Sequence, residues 1–219
     1  PKLSEWVGDR AVKDMKEHGY VVTNKLYEGT VGVKRTDIED DNLGIYAPMF
    51  EEMGYAAATH PDELVFSLLG KGFSTNCYDG QFFFDKDHPV AVNVDGTGGN
   101  ATVSNLIDAA ESPESKTPWY LLDVSRTLKP LIFQERTSPE LQAITDGKND
   151  TVFMKDQYLY GVRYRCNVGF GFWQQAVAVR DDLTAANFEK ALGLMQSFQA
   201  DGGRPLGLGT GGKAGTLLV

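Results

Sequence analysis

Four groups of residues in this 219-residue chain have types and spacings that could carry chemistry. Asp85, Asp87 and His88, with Asp79 nearby, bring three carboxylates and an imidazole into a short span. Such a donor set can hold a divalent cation and support metal-dependent hydrolysis. The plainer reading is turn chemistry at Asp79-Gly80 and His88-Pro89, with Phe82, Phe83 and Phe84 between them as packing anchors. Gly207-Leu-Gly-Thr-Gly-Gly212-Lys213 follows the phosphate-loop template, but Ala214 stands where a hydroxyl must hold Mg²⁺. The segment also leads into strand-like Leu217-Leu-Val instead of a helix, so a flexible glycine loop is the simpler account. Cys77, Cys166 and several serines are possible nucleophiles, with His18, His60 and His88 as possible bases. Neither a Gly-x-Ser-x-Gly elbow nor a Cys-Gly-x-Cys-Trp signature accompanies them. Last, Arg163 and Arg165, with Lys155, interleave with Tyr158, Tyr160 and Tyr164. That pattern can bind single-stranded nucleic acid; more often it marks a sheet with one solvated, salt-bridged face. The sequence assigns no catalytic, cofactor or metal residue.

The elements that must carry these groups follow from periodicity. Glu5 to Lys16 has helical spacing and ends at Gly19. Tyr20 to Tyr27 and Thr30 to Arg35 read as the two arms of a β-hairpin turning at Glu28-Gly29. Little strand signal follows until Trp119, and an isolated two-stranded ribbon is marginal in water. This one therefore needs a surface to lie on, in its own fold or on a neighbour. Thr36-Asp-Ile-Glu39 is a capping-box pattern with acidic first turns. Tyr46, Met49, Phe50, Met53 and Ala57 then form one apolar stripe. Pro48 should kink this helix or mark a late start. Thr59-His60-Pro61 should break it or open a second segment, with Leu64, Val65, Leu68 and Leu69 buried and the end at Gly70 or Gly72.

Further on, Asp87 to Glu114 is turn-rich and reads as a surface excursion. Trp119 to Val124 and Leu131 to Glu135 read as strands. Asp156 to Val179 is the richest strand region, with Phe172 to Val179 as its apolar continuation. Thr184 caps a second helix that sets Phe188, Ala191, Leu192, Met195 and Phe198 on one face and ends near Asp201-Gly202-Gly203. The length admits one sizeable core, or one core and a protruding subdomain. A net charge of −9 argues against a protein whose main task is gripping nucleic acid, and suits solubility before assembly. Two cysteines 89 positions apart form no metal spacing and read as reduced thiols. No apolar run approaches the roughly 20 residues of a membrane helix. Both ends read as cut, with Thr216-Leu-Leu-Val stopping in what looks like a buried strand.

Several long stretches are specific beyond their chemistry. They include Glu5-Trp-Val-Gly-Asp-Arg, Tyr27-Glu-Gly-Thr-Val-Gly-Val, Asp40-Asp-Asn-Leu-Gly-Ile-Tyr-Ala-Pro and Thr59-His-Pro-Asp-Glu-Leu-Val-Phe. Cys77-Tyr-Asp-Gly-Gln-Phe-Phe-Phe, Lys129-Pro-Leu-Ile-Phe-Gln-Glu-Arg and Gly169-Phe-Gly-Phe-Trp-Gln continue the series. Taken together they resemble the major head (T) subunit of Mu-like bacteriophages and prophages over nearly the whole chain. The resemblance implies an α+β fold of the tailed-phage type named after phage Hong Kong 97. Its parts would be the end of an N-terminal arm over 1–11, an E-loop β-hairpin over 12–35 and the spine helix of the peripheral (P) domain over 36–72. A turn-rich connection over 73–118, P-domain strands over 119–180, and a helix with the start of the axial (A) domain over 181–219 would follow.

The function implied is a structural subunit that self-assembles, through hexamers and pentamers, into an icosahedral shell enclosing DNA. It would have no catalytic residues and no cofactor. Scaffold and portal proteins would be partners during assembly, with packaged double-stranded DNA on the inner face and no membrane. The protein would sit in the virion, and in the bacterial cytoplasm beforehand. Candidate inter-subunit contacts are Thr23, Asn24, Lys25, Leu26, Tyr27, Lys34 and Arg35, with Asp40 and Asp41 as acidic partners on an adjacent copy. Two other readings stand beside this: a metal-dependent hydrolase using Asp85, Asp87 and His88, and an accessory virion or tail component.

Overall fold

The computed structural model describes residues 21–41, 44–210 and 216–218. Strand β1 (Lys25–Lys34), a short helix α1 (Arg35–Glu39) and the long helix α2 (Tyr46–Gly70) come first. Three short strands follow: β2 (His88–Ala91), β3 (Asn100–Val103) and β4 (Leu106–Asp108). Next are β5 (Trp119–Leu122) and two long strands, β6 (Leu131–Ile144) and β7 (Gln157–Phe170), with α3 (Asp150–Lys155) between them. The chain continues through β8 (Ala176–Arg180), α4 (Ala185–Ser197), β9 (Gln199–Ala200), β10 (Arg204–Pro205) and β11 (Thr216–Leu218). These elements form two compact units. One comprises Val22–Leu69 and Ile132–Gly169; the other comprises Gly70–Leu131 and the described part of Phe170–Val219.

In the first unit, β7 is the middle strand between β1 and β6. Strand β1 pairs with it antiparallel from Lys25 opposite Cys166 to Lys34 opposite Gln157. The expected hairpin turn at Glu28-Gly29 is therefore corrected: both residues lie mid-strand, opposite Arg163 and Val162. A two-residue hairpin turn needs positive φ, which neither residue adopts. The ribbon does have a platform in its own chain, supplied from far along the sequence. Residues 12–20 of the expected hairpin lie outside the described residues. Strand alternation sets Tyr27, Val31 and Val33 on the same face as Tyr158, Tyr160, Val162 and Tyr164. That face meets α2: the Tyr27 ring lies 4.3 Å from His60, and Phe50 lies 4.1 Å from Tyr160.

Helix α2 has 25 residues, about 37 Å at 1.5 Å per residue, and Leu69 is its one fully buried residue. The expected start is two pieces instead: Thr36 lies inside α1, whose Arg35 bonds Glu39 at 2.7 Å in place of a capping box. Pro48 falls in the first turn of α2, where a missing amide hydrogen is tolerated. The expected break at Thr59-His60-Pro61 does not occur, and the helix runs through Pro61 to Gly70. The Thr59 hydroxyl donates to the Tyr55 and Ala56 carbonyls just before it.

The second unit is built on a four-stranded sheet in the order β11-β5-β8-β4, with β4 parallel to β8 and the other pairs antiparallel. Its core holds Trp119, Leu121, Val177, Val179, Trp173 and Phe198. Phe83 stacks on Phe170 at 4.2 Å and on the edge of Phe84 at 4.9 Å. Phe82, expected as a third anchor, is exposed instead. The span read as a surface excursion contains β2, β3 and β4, and His88 at its start is wholly buried. Strands of three or four residues leave too few alternations to register as a pattern. The strands of 119–180 belong to both sheets: β5 and β8 to this one, β6 and β7 to the other. Phe172 to Val179 is not one strand, since a 3₁₀ turn at Trp173–Gln175 precedes β8.

Helix α4 begins as its sequence dictates, with the Thr184 hydroxyl accepting from the Asn187 amide at 3.2 Å. It stops at Ser197, and Asp201-Gly202-Gly203 instead turns the β9–β10 ribbon. Gly202 there has φ +77° and a Cβ would stand 2.3 Å from Val94 Cγ2, so glycine is required. The Gly207 loop is anchored, with Leu208 buried and the Gly209 amide donating to Asp123 Oδ2 at 3.0 Å. Leu217 of β11, expected to be buried, is 40% exposed.

Gly54 sits inside α2 with open space where a Cβ would be. Gly54→Ala should stabilise the protein by roughly 0.5–1 kcal/mol, seen as a raised urea midpoint with unchanged slope.

Candidate functional site

The residues expected to touch neighbouring copies lie on β1, α1 and the turn after it. Lys25, Leu26 and Lys34 face solvent, with Leu26 60% exposed. Thr23 is exposed and its carbonyl accepts from Asn167 Nδ2 at 2.5 Å. Asn24 is half-buried, and its Oδ1 is a buried acceptor without a partner. Three of the nine use their side chains inside the unit. Tyr27 packs on His60, Arg35 pairs with Glu39, and Asp41 caps the start of α2 by accepting from the Ile45 and Tyr46 amides at 3.2 and 3.3 Å. Asp40 ends α1 and is exposed. The opposite face of the sheet from α2 carries Arg163 and Arg165. Among the described residues no ion pair engages either, so that face is solvated but not salt-bridged.

Large apolar side chains stand in solvent over the rest of this unit. Tyr55 and Phe66 on α2 are 66% and 56% exposed, and Phe153 and Met154 on α3 are 78% and 77% exposed. Helix α3 is nonetheless well built: Asn149 Oδ1 accepts from the Thr151 amide at 3.0 Å, and Val152 is buried.

Of the expected metal donors, Asp79 and His88 meet, while Asp85 and Asp87 do not join them. Asp85 accepts from the Phe82 and Lys86 amides, and Asp87 is exposed. The ligand-type atoms that do converge are those of Cys77, Asp79 and His88. Each is already committed: Cys77 Sγ donates to Asp79 Oδ1 at 2.9 Å, and His88 Nδ1 lies 2.8 Å from Asp79 Oδ2. Burial, then the bond to Asp79, pushes the Cys77 thiol up to about 12, so in this arrangement it is a neutral donor to Asp79. The three side chains form a hydrogen-bonded polar cluster within the core. The sequence offered the thiol, the carboxylate and the imidazole but gave no sign of the imidazole's second neighbour Asn105, which follows Ser104 in a featureless stretch.

A shallow depression of about 530 Å³ lies between β4 and α4, lined among others by Leu106, Asp108, Lys190 and Leu194. Its carboxylate is taken, for Asp108 holds Arg180 Nε at 2.7 Å and Lys86 Nζ at 2.7 Å. Neither cluster presents a free nucleophile beside a base.

Residues 1–219 match the family model of the Mu-like prophage major head subunit gpT. The chain belongs to that family. It is 56% identical over 208 residues to the major capsid protein of Escherichia phage Mu, covering 95% of this chain and 68% of the relative. It is 51% identical to the Mu-like prophage FluMu major head subunit of Haemophilus influenzae, covering 95% of this chain and 67% of the relative. Among solved structures, the procapsid of bacteriophage JBD30 superposes with a TM-score of 0.80 at 60% identity, covering 94% of this chain and 68% of that one. The α+β capsid fold stands, and so does a structural role in the virion in place of catalysis. In the described residues no helix is long and apolar enough to cross a membrane.

For a head subunit the buried ion pairs are matters of stability. Burial alone would raise Asp108, but bonds from Arg180 and Lys86 outweigh it and hold the carboxyl below its ordinary range. Its stabilisation is therefore fully present above the unfolded value near 3.9 and is lost as pH falls through the lower folded value. Asp108→Asn should cost about 2 kcal/mol at pH 7 and flatten the acid limb of stability against pH, measured by urea unfolding from pH 2 to 7.

Proposed function

We propose that this subunit closes an icosahedral head around double-stranded DNA by associating with copies of itself in hexamers and pentamers, using the unit that contains β1 and α2 for much of its lateral contact. The observation that carries this is an imbalance of burial. That unit has a 25-residue helix with one buried residue, and it exposes Leu26, Tyr55, Phe66, Phe153 and Met154. A monomer rarely leaves so many large apolar groups in water, while a shell subunit covers them on assembly. Thr23, Asn24, Lys25, Leu26, Tyr27, Lys34 and Arg35 supply one side of a contact and Asp40 and Asp41 of the next copy the other. Of these, the solvent-facing Lys25, Leu26, Lys34 and Asp40 are the ones free to reach across. In the terms of the Hong Kong 97-type fold, 1–11 would be the end of the N-terminal arm, 12–35 the E-loop, 36–72 the spine helix, 73–118 a turn-rich connection, 119–180 the P-domain strands and 181–219 a helix with the start of the A domain.

The subunit would wait in the host cytoplasm and meet scaffold and portal proteins during assembly. Packaged DNA would be held by its confinement, since the chain's charge of −9 gives little affinity for phosphate. Each contact is weak alone. Repetition around a capsomer raises the effective concentration of the remaining contacts, so closure is cooperative.

The test is assembly of purified protein followed by size-exclusion chromatography and negative-stain microscopy. The double variant Leu26→Asp, Lys34→Glu should keep the wild-type circular dichroism spectrum and raise the concentration needed for shells at least tenfold. Unchanged shell formation would remove β1 from the contact. A discrete small oligomer from the wild-type chain would overturn the shell-building reading itself.

A further inference from the structure

The polar core under β2 has a property that the head-subunit role does not call for. His88 is wholly buried, its ring stacked on Trp173 with centroids 4.0 Å apart and planes 11° from parallel. Both ring nitrogens face oxygen acceptors. Nδ1 lies 2.8 Å from Asp79 Oδ2, and Nε2 lies 3.2 Å from Asn105 Oδ1. The amide of Asn105 can sit only one way round. Its Nδ2 points at three carbonyls, those of Phe83 at 2.8 Å, Ala176 at 3.2 Å and Trp173 at 3.4 Å, and its Oδ1 also accepts from the Asp85 amide at 2.9 Å. A flip would set an N–H₂ against an N–H donor and an oxygen against three oxygens. Oδ1 therefore faces His88, and a contact between them needs a proton on Nε2.

On the other side Asp79 accepts two more hydrogen bonds, from the Cys77 thiol at 2.9 Å and the Gln81 amide at 3.1 Å. A carboxylate with three donors around it is favoured in its ionised, acceptor-only form. Burial raises Asp79, but the bonds from His88 and Cys77 outweigh that and hold its carboxyl low. The other carboxylates nearby are turned elsewhere: Asp85 onto the Phe82 and Lys86 amides, and Asp201 onto the Ala91 amide.

We infer that His88 is a buried imidazolium, protonated on both nitrogens at neutral pH and paired with Asp79, and that this ion pair is a pH-responsive latch. It ties the Cys77–Phe84 turn and β2 to the segments ending at Asn105 and Trp173. The indole face under a cationic ring adds a favourable cation–π contact. Acid removes the latch by protonating Asp79 and leaving a buried cation unpaired. Base removes it by stripping Nε2, which leaves a ring lone pair facing the Asn105 oxygen. Both are costly where the ring itself is wholly buried.

The experiment is ¹⁵N-histidine labelling of the full chain, with long-range ¹H–¹⁵N spectra at pH 7. Signals are assigned by His18→Gln and His60→Gln, since the chain has three histidines. Two protonated ring nitrogens on His88, both slow to exchange with solvent, are expected; one unprotonated nitrogen overturns the inference. In Asp79→Asn the same ring should drop to one proton. A ring that keeps both protons without Asp79 overturns the pairing. Should that variant fail to fold, the wild-type spectrum alone decides.

Discussion

Asn105 has all its polar atoms engaged beneath the surface. Its amide nitrogen donates to Asp85 O and its carbonyl accepts from the Ala178 amide, which starts the parallel pairing of β4 with β8. Its side chain donates to three carbonyls, accepts from the Asp85 amide and lies 3.2 Å from His88 Nε2. One residue therefore registers the Phe83–Asp85 turn, the Trp173–Ala176 corner and β8 against one another. Buried amides that are fully satisfied specify a single arrangement, because any slip strands several groups at once. The aromatic stacking of Phe83, Phe84, Phe170 and Trp173 supplies apolar burial around this point, while the amide fixes which packing is adopted.

The two units answer different demands. The one around Asn105 is finished as a folded object, with Trp119, Trp173, Val177, Val179, Met195 and Phe198 all closed off. The one around β7 has few fully buried residues, chiefly Val33, Leu69, Val152, Tyr164 and Cys166, and keeps many apolar side chains outward. A shell subunit needs both: a part that holds its shape before assembly and a part whose burial is completed by copies of itself. The inward-facing carboxylates belong with the first demand, for each is already engaged within the unit: Asp108 by Arg180 and Lys86, Asp79 by His88 and Cys77, and Asp123 by Ser125 and the Gly209 amide.

Much of this was legible from sequence. Family, fold class and structural role came from long collinear stretches; the Thr184 cap came from helical spacing. So did part of the α2 pattern, although Met49 is exposed and only Leu69 of the expected Leu64, Val65, Leu68 and Leu69 is fully buried. What was not legible shares a physical cause. Glu28-Gly29 looked like a turn because its strand's partner lies at 157–166, and local pattern carries no information on so distant a ladder. Strands β2 to β4 are too short for alternation to declare itself. Thr59-His60-Pro61 is a sound breaker by local rules, overridden where His60 and Leu69 pack inward. The metal-like reading set His88 with Asp85 and Asp87 and left Asp79 as a neighbour, whereas the ring meets Asp79, because spacing along a turn does not say which side chains turn inward.

Pro61 gives α2 a mechanical character. Without an amide hydrogen at that position, the carbonyl of Ala57 has no ladder donor, and the ring presses on that same turn. Bending there sacrifices no rung, whereas bending anywhere else along the rod would. The longest rigid member of the subunit thus contains a crease, placed beside the Tyr27–His60 contact that pins it to the sheet. Any flexing of this rod concentrates at that joint, leaving the stretches on either side straight.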